Sequence, residues 1–81
     1  MEIKSFYRTQ RDLATALKQL VDAYWNEEIT EEFLIDGIQS MYKNNEEKLI
    51  KGHTYTTIVQ QQCGKRRMAV VSKVLDLTNV E

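Results

Sequence analysis

The sequence contains no proline, three glycines, one cysteine and one histidine, and each shortage excludes something. All-β domains lean on glycine and proline for their many tight turns, so a chain this poor in both reads as helical. A lone Cys63 rules out an internal disulfide. With no apolar signal segment at the N-terminus, a reducing cytoplasm is the expected address. No apolar run approaches the roughly 20 residues that cross a bilayer, so no membrane partner is expected. One histidine and one cysteine fall short of an ordinary zinc site. The glycines stand apart at 37, 52 and 64 and form no phosphate-cradling loop. The cluster Glu27, Glu28, Glu31, Glu32 has no histidine at the spacing of a di-metal bundle. Nothing local activates His53 and Cys63 as a nucleophilic pair; Cys63 reads as a small core residue and His53 as a loop residue beside Gly52. The expectation is therefore a non-enzymatic protein without metal or cofactor.

What is present is one small domain. The chain has 81 residues, 42% of them hydrophobic and 28% charged, a globular balance read as a single helical domain over 1–81. A domain of this size buries only about 60% of its unfolded surface, so dimerisation with a second copy is one route to further stability. Residues 1–8 read as an extended arm, or a short strand, that lays Phe6 or Tyr7 on the core. Thr9 caps a first helix over 10–25, with Leu13, Leu17, Leu20, Val21 and Tyr24 on one face. Thr30 caps a second, with Glu31 and Glu32 in its first turn and Ile29 and Leu34 at staple spacing. Its stripe is Phe33, Leu34, Ile38, Met41 and Tyr42, running to about residue 43, and Gly37 inside it suggests close approach by a neighbouring helix. Leu49 and Ile50 sit in a single turn before Gly52.

Residues 54–62 fit either a helix or, through Thr54, Thr56, Thr57, Ile58 and Val59, a strand. Gly64 suits the position just past a helix end. Met68, Val71 and Leu75, widened by Val70, Val74 and Leu77, then predict a final helix over 65–77. The expected fold is a compact all-α domain of three or four helices. The alternative is an α+β fold whose C-terminal β-hairpin turns at Gly64.

Charge is segregated along the chain. Between residues 19 and 42 lie six carboxylates, Asp22, Glu27, Glu28, Glu31, Glu32 and Asp36, and no lysine or arginine. From 43 to 73 seven cations, Lys43, Lys48, Lys51, Lys65, Arg66, Arg67 and Lys73, face only Glu46 and Glu47. Two candidate binding faces follow: an acidic one of Glu27, Glu28, Glu31 and Glu32 around an anchor at Trp25, and a basic one of Lys65, Arg66, Arg67 and Lys73. The stretch "QQQCGKRRMAVV" partly resembles a helix-turn-helix hinge with Gly64 in the turn. Yet Gln60 occupies the small-residue slot, and Lys65 and Lys73 fall where apolar residues are required. Three cations at a predicted helix start conflict with the dipole there, so something must offset them: phosphate, an acidic protein, or the chain's own acidic half.

In the stretches "YWNEEITEEFLIDGI", "YKNNEEKLIKGHTYT" and "QQQCGKRRMAVVSKVLDL" the chain resembles a small family of bacterial proteins of about this length, mostly from Firmicutes, without an assigned function. The resemblance implies a cytoplasmic bacterial or bacteriophage-borne setting and supplies no site residues. The leading expectation is a small regulatory or inhibitory protein that docks on a protein partner. The alternative is a nucleic-acid-binding module using Lys65 to Arg67.

Overall fold

The structure, a computed structural model, describes residues 2–78; the side chains of Leu77 and Thr78 lie outside it. The parts assigned in the sequence to Met1 and to the Leu77 side chain thus fall outside the described residues.

Among the described residues the chain forms four helices and one tiny sheet: α1 (Gln10–Trp25), α2 (Glu31–Asn44), α3 (Glu46–Leu49), β1 (Ile50–Lys51), β2 (Thr54–Tyr55) and α4 (Thr57–Thr78). The all-α expectation holds. Both predicted caps close as the sequence requires. Thr9 accepts the Asp12 N–H at 3.0 Å and Thr30 accepts the Phe33 N–H at 3.1 Å, each satisfying a donor that the helix start leaves orphaned. From α1, Leu13, Ala14, Leu17, Leu20 and Val21 are buried in one cluster with Leu34, Ile38 and Met41 of α2. Phe33 departs from its predicted place on that stripe. It lies in the first turn of α2, ahead of the core, and is exposed. Gly37 is explained by packing, because a Cβ there would lie 2.9 Å from Leu20 Cδ2.

The N-terminal arm forms no strand, and Tyr7 rather than Phe6 is buried. The reason is Asn45, a fully buried amide. Its Oδ1 accepts the Tyr7 N–H at 3.1 Å, while its Nδ2 donates to the Ser5 carbonyl at 3.1 Å and the Met41 carbonyl at 3.2 Å. Gripping the backbone on both sides of Phe6 turns Tyr7 inward and leaves Phe6 outside.

The alternative with a hairpin at Gly64 is overturned. The hairpin exists twelve residues earlier, pairing Ile50 with Tyr55 and Lys51 with Thr54 around Gly52 and His53. Of these two turn residues only Gly52 has positive φ, at 69°, the pattern of a two-residue turn with glycine first. The β-branched run is divided: Thr54 is in the strand, Thr56 anchors the junction by donating to the Lys48 carbonyl at 2.8 Å, and Thr57 opens α4. Gly64 does break this last helix, with φ 78° and ψ 170°, so α4 has two arms, 57–63 and 65–78. Val59 and Cys63 of the first arm and Met68, Val71, Val74 and Leu75 of the second enter the same core, and α4 packs chiefly on α1.

Candidate functional site

The two candidate faces meet at Trp25, and Arg67 of the basic one also pairs with Asp22, a carboxylate outside the predicted acidic face. Arg67, at the start of the second arm of α4, reaches Asp22 on α1 through a forked contact, Nε to Oδ1 at 2.8 Å and Nη2 to Oδ2 at 3.1 Å. Its Nη1 donates to the Cys63 carbonyl at 3.0 Å. Donating these hydrogen bonds to the Asp22 carboxylate holds the guanidinium pKa above its ordinary value. For Arg67 the conflict noted in the sequence is thereby resolved. The break that starts one helical arm also ends another, and the orphaned carbonyl at the end of 57–63 attracts a cation.

One turn along α1 from Asp22 lies Trp25. The guanidinium carbons of Arg66 and Arg67 both stand 5.8 Å from the centre of its ring, within cation–π reach. The ring remains 43% exposed, an uncommon state for the largest apolar side chain and the one suited to an interface anchor. Of the other predicted residues, Glu27, Glu28, Glu31, Glu32, Lys65 and Lys73 are all exposed. The seam thus unites Trp25 with Arg66 and Arg67 directly. Lys73 lies further along α4 and borders, with Glu31, a groove between α2 and α4 floored by Leu34, Ile35 and Val70.

The turn that carries the acidic residues is built with strain. The Glu27 N–H bonds the Tyr24 carbonyl at 3.0 Å and the Glu28 N–H bonds the Ala23 carbonyl at 2.8 Å. This is the paired pattern of a Schellman stop, in which the residue after the C-cap takes a left-handed conformation and is usually glycine. Here it is Glu27, with φ 61°. This stop is not legible in the sequence, because "WNEEIT" lacks the glycine that normally signals it. The partner of Asp22 and the role of Asn45 were not legible either, since they depend on residues 45 and 38 positions away.

Cys63 is buried, its thiol facing the Ala14 carbonyl at 3.6 Å; burial pushes its pKa up, against the pull of Arg67 and Lys18. His53 is exposed on the hairpin turn. The two residues therefore occupy different environments, a core face and a surface loop. Tyr42 donates to Glu46 at 3.2 Å, and the carboxylate charge raises the phenol pKa. Among the described residues no helix is long and apolar enough to cross a membrane.

Fold and site define a small helical protein with a charged seam around one exposed tryptophan. The chain belongs to a family of conserved hypothetical proteins, whose family model matches residues 4–76. No curated protein and no solved structure matches it.

Proposed function

We propose that this is a small non-enzymatic regulatory or inhibitory protein that acts in the cytoplasm by docking on another protein. The docking face is the corner formed by Trp25 and the carboxylates of Glu27, Glu28, Glu31 and Glu32. The observation that carries the reading is Glu27. A glycine would end α1 without strain, whereas a glutamate in the left-handed region costs stability and returns one more exposed carboxylate beside Trp25. Local rules broken without a structural gain are expected at functional positions.

A protein partner is favoured over nucleic acid by the fate of the basic cluster. Arg67 is engaged by Asp22, and Arg66 leans over Trp25. A phosphate backbone approaching them would also meet the acidic corner. The test measures both classes of partner. Anisotropy titrations with duplex DNA, single-stranded DNA and RNA at two salt concentrations should give at most weak, sequence-independent binding. Trp25→Ala should retain the helical circular dichroism spectrum and weaken capture of the cognate protein by about 30-fold or more, the loss typical of an interface hot spot. Tight, steeply salt-dependent nucleic-acid binding that is lost in a Lys65→Ala, Arg66→Ala double variant would reverse the assignment.

A further inference from the structure

The groove between α2 and the second arm of α4 has a charge pattern that selects its own occupant. Its volume is about 180 Å³, room for one or two aliphatic side chains. Its floor and sides include Ile35, Val70 and the ring of Tyr24, all only half-buried. The α2 wall carries Glu31, one turn before Ile35. The α4 wall carries Lys73, one turn after Val70. Glu31 and Lys73 border the same groove from opposite sides, yet among the described residues the only ion pair is that of Arg67 with Asp22. The two rims keep their charges for something else.

An apolar strip with an acidic rim on one side and a basic rim on the other is a poor fit to a ligand of one charge sign. A cationic segment drawn to Glu31 meets Lys73, and a polyanion meets the reverse, and like charges brought together oppose binding. A second copy of this chain has no such conflict. A two-fold axis running along the groove lays the α2 wall of one copy against the α4 wall of the other. Glu31 then faces the second Lys73, the pair occurs twice, and the half-buried Ile35, Val70 and Tyr24 are covered on both copies. A chain this short, whose monomer leaves much of its surface open, gains most from such burial.

We infer that the protein forms a symmetric homodimer through this groove. The inference goes beyond the proposed function and is tested apart from it. Docking of a different protein is read by capture at Trp25 and dimerisation by sedimentation of the purified chain, where no other protein is present; Glu31, which the docking corner shares, and Lys73 are both exposed, so their replacement leaves the core untouched.

The test is sedimentation equilibrium of the full chain over a wide concentration range at low and high salt. The wild type should show a concentration-dependent dimer that weakens with salt. E31K and K73E should each weaken dimerisation by at least about tenfold, since each sets two like-charged pairs across the interface. The E31K/K73E double variant should dimerise again. An equimolar mixture of the two single variants should form a heterodimer, because each mutated wall then faces its opposite. A wild type that stays monomeric at every concentration would overturn the inference. So would single variants that dimerise like the wild type, or a mixture that does not associate, while circular dichroism shows all chains folded.

Discussion

Two residues hold chemistry at odds with their surroundings, and each yields a measurable consequence. Glu27 occupies a left-handed position that L-residues enter at a cost, only partly offset by the greater freedom glycine has in the unfolded chain. Glu27→Gly should therefore raise stability by about 0.5–1 kcal/mol, seen as a higher urea midpoint at unchanged slope, and should weaken partner binding. A variant that is less stable would remove the strain argument. Cys63 presents its thiol to the core, and burial raises its pKa above the ordinary value. The native state then holds the thiol proton more tightly than the unfolded chain does. This contribution to stability is complete below the ordinary thiol range and is lost as pH climbs through it towards the raised value. Urea midpoints from pH 7 to pH 10 should fall more steeply in the wild type than in Cys63→Ala. Parallel curves would mean that the thiol is not desolvated.

At the scale of elements, α4 joins a local signal to a tertiary one. Gly64 adopts a backbone region open almost only to glycine, and no atom within 4 Å would meet a Cβ there. Gly64→Ala should thus cost about 1–3 kcal/mol through the backbone alone, measured by chemical denaturation. A neutral result would mean that the two arms straighten into one helix without loss. The bend itself is held by contacts that reach across it, Arg67 to the Cys63 carbonyl and Tyr55 to Ser72 at 2.9 Å. The glycine was legible in the sequence as a helix stop, and so were the caps at Thr9 and Thr30, because each acts within three or four residues. The hairpin was misplaced because β-branched Thr54 to Val59 favour strand wherever they occur. Only Thr56, anchored on the Lys48 carbonyl, divides that run into a two-residue strand and a helix. Phe33 was misassigned because a stripe read from spacing does not say where the neighbouring helix begins to cover it.

At the scale of the whole molecule, the charge map was legible as two patches, with mutual neutralisation among the expected outcomes, but the residues that meet were not. The contact between Arg67 and Asp22 spans 45 residues, and no local pattern encodes that distance. Folding brings the basic start of the second arm of α4 against the acidic end of α1. Part of the charge is neutralised there, and Trp25 is left exposed between guanidinium groups and carboxylates. This corner is proposed to meet another polypeptide. The most direct measurement places a photo-cross-linking residue at Glu28, and as a control at exposed Gln61 on the first arm of α4, in the native cell. The cross-linked products are then identified by mass spectrometry. A discrete polypeptide adduct is expected at position 28, absent at 61 and lost in Trp25→Ala. Adducts to nucleic acid, or the same adducts at both positions, would contradict it.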